Sequence, residues 1–183
     1  NDIVANDGCI RPDSTLEGLK SLKPVFEADG SVTAGSSSPL TDGASAVMVT
    51  SEEYAKAHGL RILARIKSIS VAGCAPEIMG IGPVAATRKA LDRAKLEVGD
   101  IDVIELNEAF AVQALACADE LKLDLAKTNI DGGAIALGHP LGATGARITG
   151  KAAQVMAREG KKFALATQCI GGGPGIAPIL EAV

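Results

Sequence analysis

Length, composition and charge set the first limits on this chain. Its 183 residues include 18 lysines and arginines against 22 aspartates and glutamates, and the net charge of -4 offers nucleic acid or an anionic membrane no excess of cations. Hydrophobic residues make up 47% and aromatic residues 2%, which excludes a disordered chain and predicts a core of Ala, Val, Leu and Ile.

The first third of the chain is predicted to contain few regular elements. A Ser-x-x-Glu capping box predicts a short helix over residues 15–23. Residues 35–43 are rich in Ser, Gly and Pro, which indicates an ordered loop, and the apolar residues 44–50 after it are predicted to form a strand. Ser51 is suited to cap a helix that ends at Gly59.

The rest of the chain is predicted to alternate strands with helices. Polar and apolar residues alternate over residues 64–71, which predicts a strand with one solvated face, and Pro83 is suited to begin a helix that ends near Lys95. The order then repeats, with a strand over 102–106, helices over 108–121 and 140–159, and strands over 163–167 and 176–181. This alternation favours an α/β layered fold, and the change near residues 58–61 is the most plausible domain boundary.

Apolar runs and cysteine spacing exclude several further classes of protein. The longest apolar stretches, such as residues 109–118, are well short of the roughly 20 residues that cross a bilayer. No signal peptide is visible and the first residue is Asn1, so we expect a cytoplasmic chain that was cut from something longer. The four cysteines lie far apart in sequence and provide neither a zinc motif nor a compact disulfide framework, so we expect no metal site.

One of the two histidines lies in a glycine-rich segment. His139 follows Gly138 and precedes Pro140, within the sequence GGAIALGHPLGATG of residues 132–145. Glycines let the backbone approach a ligand closely, and an imidazole near neutrality can act as a base. The alternative is a tight turn in which His139 only makes hydrogen bonds.

A cysteine and an asparagine occupy comparable places at predicted strand ends. Cys169 follows the strand over 163–167 and precedes three glycines, whose N–H groups offer an oxyanion hole. Asn107 follows the strand over 102–106 and can hold a water or a carbonyl oxygen. A buried structural cysteine and a helix N-cap are the alternatives. Together with His139 they predict a divided active site of the α/β type.

Three motifs carry a resemblance to a known family. The sequences NEAF at 107–110, GGAIALGHPLG at 132–142 and CIG at 169–171 resemble, in this order, the C-terminal motifs of the thiolase family. Further similar segments are VTAG at 32–35, DGA at 42–44 and IMGIGP at 78–83. The resemblance implies an α-β-α layered fold with a mixed sheet flanked by helices. It also implies that residues 1–58 are the tail of an N-terminal domain and that residues 59–183 form the C-terminal domain.

The family resemblance implies an acyltransferase. A 3-ketoacyl-CoA is cleaved by CoA to acetyl-CoA and a shortened acyl-CoA, or two acetyl-CoA molecules condense in the reverse direction. Coenzyme A is then a substrate, and no covalently bound cofactor is implied. The other implied partners are the N-terminal half of the same protein and further copies of it in a homo-oligomer. Residues 10–18 and 71–76 are more similar to the degradative thiolases of fatty acid β-oxidation than to the biosynthetic ones.

The resemblance also assigns roles to individual residues. His139 would deprotonate the nucleophilic cysteine and later help to bind the thioester oxygen, with Asn107 fixing a water beside it. Cys169 would be the general acid and base, and the Gly171 N–H would serve the oxyanion hole. Three further positions match contacts with the pantetheine arm or the acyl group, with a loop hydroxyl or core packing as the alternative: Ser38, Met79 and Phe110.

Some parts of the family pattern are missing or altered. The nucleophilic cysteine of the family lies in a Val-Cys-x-Ser-Gly type motif, which none of the other cysteines has, so we expect no turnover from this chain alone. Asp131, Pro39 and Pro174 depart from the usual residues, and Pro174 removes an N–H three positions after Gly171.

Two alternative functions are considered. Ketoacyl synthases and sterol-carrier type thiolases belong to the same superfamily, but they generally carry other residues in the NEAF or CIG motif. A non-catalytic half that is retained for dimerisation or CoA binding is not excluded by the sequence.

Overall fold

A computed structural model describes residue 3 and residues 5–183 of the chain. Within them lie six α-helices and four strands. In chain order these are α1 (Leu16–Lys20), α2 (Glu52–Ala57), β1 (Arg65–Gly73), α3 (Gly82–Ala94), β2 (Val103–Leu106), α4 (Ala111–Leu121), α5 (Ala134–Leu137), α6 (Thr144–Arg158), β3 (Phe163–Cys169) and β4 (Pro174–Glu181). Short 3-10 segments lie at Ala34–Ser36, Pro76–Ile81, Val98–Asp100 and Leu125–Lys127.

The four strands form one mixed sheet in the order β1-β4-β3-β2. β2 and β3 run parallel, whereas β4 is antiparallel to both of its neighbours, β1 and β3. The parallel pair needs a long crossover connection, and residues 107–162, which contain α4, α5 and α6, provide it.

Helices cover both faces of this sheet. Successive side chains of a strand point to opposite faces, so Ile104 packs with α3 and α4 while Val103 packs with α6. Small residues lie where α6 meets the sheet, since Ala152, Ala164 and Ala166 are fully buried. The predicted α/β fold with a mixed sheet flanked by helices is confirmed, and its core is aliphatic.

Both edges of the sheet are covered by polar groups. On the β1 side, Arg93 Nη1 donates to the Ile69 carbonyl at 2.6 Å and Lys89 Nζ donates to the Val71 carbonyl at 3.3 Å. On the β2 side, the Asn129 side chain accepts from the Leu106 N–H at 3.0 Å and donates to the Leu106 carbonyl at 2.8 Å. Four backbone groups that an edge strand normally leaves open are therefore bound by side chains of the same chain.

β1 turns its apolar side chains away from the core. Ser70 is buried and the Ser68 hydroxyl donates to the Ala90 carbonyl of α3 at 2.8 Å, whereas Ile69 and Val71 are about half exposed. The predicted strand is present and has one exposed face, but that face is the apolar one.

The predicted strand over residues 44–50 is wrong. The segment has no strand partner within the described residues, and Met48 and Val49 are largely exposed. Its apolar, β-branched residues favour an extended chain, but a strand also needs a neighbour that accepts its backbone hydrogen bonds.

Two helices begin later than the sequence predicted. α4 begins at Ala111 rather than at residue 108, because Phe110 is extended and forms a β-bridge with Ser37. The alternative role of Asn107 as the N-cap of this helix is therefore wrong. α6 begins at Thr144, because the residues after Pro140 first form a turn that returns the Thr144 N–H to the Pro140 carbonyl at 3.0 Å.

The other predicted helices and strands are present. However, α1 spans only Leu16–Lys20 and is capped by Thr15 instead of the predicted capping box, and the sequence did not predict α5. Ser51 caps α2, which ends at Ala57, and residues without regular structure lead from there to β1. The division of the chain at residue 58 stays a prediction. None of the helices in the described part is both long and apolar enough to cross a bilayer.

A close backbone contact between α3 and β4 leads to a prediction. A Cβ at Gly175 would lie 2.1 Å from the Gly82 carbonyl, so Gly175→Ala would force the helix away from the strand. We expect the free energy of unfolding, measured by urea denaturation, to fall by about 3 kcal/mol. Gly99→Ala is the matched control, because a Cβ there meets nothing within 4 Å, and should change the same quantity by less than about 0.5 kcal/mol. Equal stability of the two variants would contradict the packing described here.

Candidate active site

The carboxyl ends of β2 and β3 bring two of the predicted site residues to one edge of the sheet. Leu106 lies opposite Thr167 in the parallel ladder, and the Asn107 N–H donates to the Thr167 carbonyl at 2.9 Å. Asn107 is the first residue after β2, and it lies beside the last residues of β3, which ends at Cys169. This is the edge at which ligand sites of α/β sheets usually lie.

The loop that carries His139 is held against the N-terminal part of the chain. α5 ends at Leu137 and is capped by Gly138, whose φ of 99° lies in the region that favours glycine, and a Cβ there would lie 2.6 Å from the Thr41 side chain. The His139 N–H donates to Thr41 Oγ1 at 3.1 Å. The Thr41 contact thus fixes the backbone from which the imidazole projects.

Glu108 connects the end of β2 to the same loop. Its Oε1 accepts from Asn129 Nδ2 at 2.8 Å and its Oε2 accepts from the Ile135 N–H at 3.1 Å, in the first turn of α5. The two neighbours in the NEAF motif therefore have different tasks, since Glu108 anchors the loop and Asn107 contacts the imidazole.

The imidazole of His139 lies between an amide and a hydroxyl. Its Nε2 is 3.3 Å from Asn107 Nδ2, and its Nδ1 is 2.7 Å from Thr144 Oγ1. The Thr144 hydroxyl donates to the Pro140 carbonyl at 3.1 Å, so it accepts from His139 Nδ1–H. This assigns the proton to Nδ1 and leaves Nε2 as a lone-pair acceptor for the Asn107 amide.

The surroundings of His139 favour its neutral form. Burial lowers the pKa of the imidazole, and the positive charge of Arg147 lowers it further. A neutral imidazole with an unprotonated Nε2 is the form that can accept a proton from a thiol.

Cys169 lies at the same edge but does not touch the imidazole. The thiol is buried and free, and burial raises its pKa, so it is protonated near neutrality. Cys169 and Thr167 are two residues apart on β3, so their side chains point to the same face of the sheet. The Thr167 hydroxyl accepts a hydrogen bond from the Thr87 hydroxyl of α3 on that face. Within the described residues no hydrogen bond joins Cys169 to Asn107 or His139, so the structure brings the amide and the imidazole into contact and leaves the thiol nearby.

Gly171 lies in the exposed turn after β3. The turn is closed by the Ile170 N–H, which donates to the Pro174 carbonyl at 2.7 Å, and the Gly171 N–H has no hydrogen-bond acceptor in the described part of the chain. Pro174 begins β4, a position at which strands tolerate proline. The Pro174 carbonyl binds Ile170, so the departure at Pro174 does not occupy the Gly171 amide, two residues after Cys169.

The three predicted substrate contacts lie around the start of α4. Phe110 is the N-cap of that helix and is partly exposed, and the Ser38 N–H and hydroxyl both donate to the neighbouring Ala109 carbonyl, at 3.0 and 3.1 Å. Met79 is partly buried in the 3-10 segment Pro76–Ile81, which packs on α4. Among the described residues, no group of three or more His, Cys, Asp or Glu side chains is arranged to hold a metal ion.

Sequence analysis missed the residues that hold and surround the imidazole. Thr41 and Thr144 contact His139 directly, but a single threonine in a loop or at a helix start carries no distinctive signal. Glu105 carried a signal that was overlooked, because it is an ionisable residue in the middle of an apolar strand, between Ile104 and Leu106.

Glu105 is an unusual residue for the centre of a sheet. It is only 1% exposed, and neither carboxyl oxygen has a hydrogen-bond partner among the described residues. Burial raises the pKa of Glu105 to about 7, against the opposing charges of Arg147 and Lys151 on α6.

Comparison with known proteins gives a consistent result. The family models described as "Thiolase, C-terminal domain" and "Thiolase, N-terminal domain" match residues 60–182 and 1–53. The 3-ketoacyl-CoA thiolase of Vibrio parahaemolyticus is 56% identical over 179 residues, covering 96% of this chain and 46% of the relative. That of Photobacterium profundum is 56% identical over 182 residues, with 97% and 47% covered.

Solved structures agree with the sequence comparison. The human mitochondrial 3-ketoacyl-CoA thiolase superposes with a TM-score of 0.91 at 48% identity, and the acetyl-CoA acetyltransferase of Bacillus anthracis gives the same two values. Each comparison covers 97% of this chain and 45% of the solved chain. The chain spans about half the length of the curated relatives it matches.

The contact between His139 and Thr144 predicts the result of removing one hydroxyl. In Thr144→Val the Nδ1–H loses its acceptor, so we expect the Nε2–H tautomer to gain population, which 15N NMR of the two ring nitrogens measures directly. Thr149→Val is the control, since that hydroxyl donates only to the Gly145 carbonyl of α6. Identical ring-nitrogen shifts in Thr144→Val and the unaltered chain would refute the tautomer assignment.

The raised pKa of Glu105 predicts a pH dependence of stability. The folded-state pKa lies above the unfolded value near 4.5, so folding favours the protonated form and stability is lost as the pH rises from 4.5 to 7. The expected loss in the free energy of unfolding is on the order of 3 kcal/mol. We expect Glu105→Gln to remove it, as measured by urea unfolding between pH 4.5 and 8.

Glu120→Gln serves as the control for Glu105→Gln. It removes an exposed carboxylate on α4 that pairs with Arg88 at the surface. Its stability should decline with pH as that of the unaltered chain does. A Glu105→Gln variant with the unaltered pH dependence would show that the Glu105 carboxyl is not buried as described.

Proposed function

This chain belongs to the thiolase family, and on that premise we propose that it supplies the acid–base half of a CoA-dependent acyltransferase. The whole protein would cleave a 3-ketoacyl-CoA with CoA to acetyl-CoA and a shortened acyl-CoA, or condense acetyl-CoA in reverse. The observation that carries the proposal is the Asn107–His139 pair, in which a partly buried, neutral imidazole presents an unprotonated Nε2 at the carboxyl edge of the sheet.

His139 is proposed to activate the nucleophile. The thiol of a cysteine outside this chain gives its proton to Nε2, and the resulting thiolate attacks the 3-keto carbonyl carbon. Thr144 holds the Nδ1–H, so the imidazole keeps its orientation while Nε2 gains the proton. Asn107 would then fix a water beside the imidazole, and both groups would help to bind the thioester oxygen.

Cys169 is proposed to act as the general acid that protonates the acetyl-CoA enolate and as the general base that deprotonates the incoming CoA thiol. When the carbon–carbon bond breaks, the acetyl-CoA enolate takes the thiol proton of Cys169, which becomes a thiolate. The incoming CoA thiol returns a proton to Cys169 and attacks the acyl-enzyme, which releases the shortened acyl-CoA and the nucleophile. The raised pKa of Cys169 supports this role, because a thiol that keeps its proton near neutrality is available as the acid.

The open amide of Gly171 is proposed as an oxyanion donor. It follows Cys169 by two residues and has no acceptor within the described residues, so it is available to a carbonyl oxygen that gains negative charge. Ser38, Met79 and Phe110 are proposed to contact the pantetheine arm or the acyl group, because all three lie around the start of α4.

Coenzyme A is proposed as a substrate rather than a resident cofactor. One of the similar solved structures, with a TM-score of 0.90, is the human mitochondrial thiolase in complex with CoA. A degradative role in fatty acid β-oxidation, a homo-oligomeric assembly, an interface with the N-terminal half, and a cytoplasmic location stay predictions.

Activity measurements on the longer protein test the proposed roles. We expect His139→Ala and Cys169→Ala each to lower kcat for thiolysis of a 3-ketoacyl-CoA by at least about 100-fold, with a folded protein by circular dichroism. Thr149→Val, a change in α6 away from the proposed reacting groups, is the control and should keep the unaltered rate.

The same assay separates the alternatives. The 183-residue chain alone should release no acetyl-CoA, because none of its cysteines lies in the nucleophile motif. Wild-type rates in both alanine variants would favour the alternative, a non-catalytic half that serves dimerisation or CoA binding. Turnover by the isolated chain would show that the nucleophile is one of its own cysteines.

A further inference from the structure

One face of β2 carries polar groups directly beneath the proposed site. Glu105 and Asn107 are two residues apart on the strand, so both side chains point to the face that α6 covers, roughly 7 Å from each other. Across from them, α6 presents Thr144, Arg147 and Lys151 at helical spacing, and Thr144 already contacts His139.

Several buried polar atoms on this face lack hydrogen-bond partners among the described residues. They are both carboxyl oxygens of Glu105, Asn107 Oδ1, Gln168 Oε1 and Arg147 Nε. Gln168 belongs to this face, because its Nε2 lies 3.5 Å from the Cβ position of Gly145 in α6. Unpaired buried polar groups lower stability, so a cluster of them beside a reactive imidazole points to a use in the reaction.

The three cationic residues of α6, Arg147, Lys151 and Arg158, differ in whether a carboxylate pairs with them. Lys151 forms an ion pair with Asp131, and the same carboxylate accepts two N–H groups of Arg158 at 2.8 and 3.0 Å. Arg147 has no carboxylate within ion-pair distance in the part of the chain that the structure describes. The positive charge of Arg147 nevertheless acts on two titratable groups, since it lowers the pKa of both Glu105 and His139.

We propose that Glu105 and Arg147 are positioning residues of the thiolase reaction, in which the Glu105 carboxylate offsets the Arg147 charge that His139 experiences. The inference rests on the proposed function, because it concerns the base strength of the same imidazole. Neither residue touches the reacting atoms. Both charges act through the electric field at His139, where that of Glu105 opposes that of Arg147.

The proposal gives the site a defined pH response. When Glu105 is protonated, His139 experiences the full charge of Arg147 and resists protonation. When Glu105 ionises, near pH 7, its negative charge favours the imidazolium and makes His139 a stronger base. Proton uptake by His139 from a thiol therefore becomes easier as the pH rises through 7.

The other charged groups around this pair are few. Lys151 on α6 lowers the pKa of Glu105, while Asp131 and Glu108, which lie before α5 and after β2, raise it. The facing positions of β3, Ala164, Ala166 and Gln168, do not titrate. Arg147 is the one charged group that acts on both Glu105 and His139 among the described residues.

The chain has only two histidines, which makes NMR titration a direct test. In the 183-residue chain labelled on histidine, the His139 resonances should show their own titration and a second, smaller step near pH 7 from Glu105. His58, exposed at the end of α2, is the internal reference and should lack that step. In Glu105→Gln the second step should disappear.

Arg147 variants test the coupling and remain informative if Glu105→Gln does not fold. In Arg147→Met we expect the second step to move to higher pH by roughly one unit, and the midpoint of His139 itself to rise by roughly half a unit, because both groups lose a nearby cation. Arg147→Lys keeps the charge and should keep both positions, and Glu120→Gln should leave every His139 parameter unchanged. The proposal would be overturned if the second step in the His139 titration persists in Glu105→Gln, or if its midpoint stays unchanged in Arg147→Met.

Kinetics of the longer protein separate this inference from the proposed function. With a 3-ketoacyl-CoA and CoA, the kcat of the unaltered protein should rise through pH 7, and Glu105→Gln should lose that limb of the profile. If the NMR steps behave as expected and the longer protein has no thiolase activity, the proposed reaction is wrong and the charge coupling stands. If the enzyme is active and its Glu105→Gln profile keeps the limb, the positioning role is wrong and the proposed reaction stands.

Discussion

The parallel pairing of β2 and β3 is the constraint on which the site depends. Because Leu106 lies opposite Thr167, the first residue after β2 and the last residue of β3 reach the same edge of the sheet. The Asn107 N–H continues the ladder by one bond to the Thr167 carbonyl, so the position of its side chain is set by the sheet itself. Thr41, Glu108 and Asn107 hold the loop that carries His139 by three separate hydrogen bonds.

Much of the fold could be predicted because burial leaves a strong record in the sequence. The strands β2 and β3 are short and apolar, and the sequence shows them as such. The segment 44–50 has the same composition, and its prediction failed because composition cannot tell whether a partner strand is within reach. The late start of α4 has a similar cause, since its bridge from Phe110 to Ser37 depends on a segment distant in sequence, whereas α6 starts late because of a local turn at Pro140.

The candidate site likewise has a part that the sequence predicts and a part that it does not. Asn107, His139 and Cys169 were identifiable because each lies at the end of a predicted strand or at the end of a glycine-rich loop, and because the motifs resemble a family. Their support was not identifiable. The hydroxyl that receives the His139 Nδ1–H comes from a residue five positions later, and the one that holds its backbone comes from Thr41. No local pattern encodes such contacts, because they appear only when loop and helix are placed together.

The covered edges of the sheet have a consequence for the behaviour of the protein in solution. An open edge strand with apolar side chains, such as those of Ile69 and Val71, would template addition of a strand from another molecule and so begin a fibril or an aggregate. Here Arg93 and Lys89 already bind the Ile69 and Val71 carbonyls, two of the acceptors that an added strand would need. Asn129 binds the Leu106 carbonyl at the β2 edge in the same way. Contact between molecules through the apolar face of β1 therefore occurs more readily by side-chain packing than by backbone hydrogen bonds to the Ile69 and Val71 carbonyls.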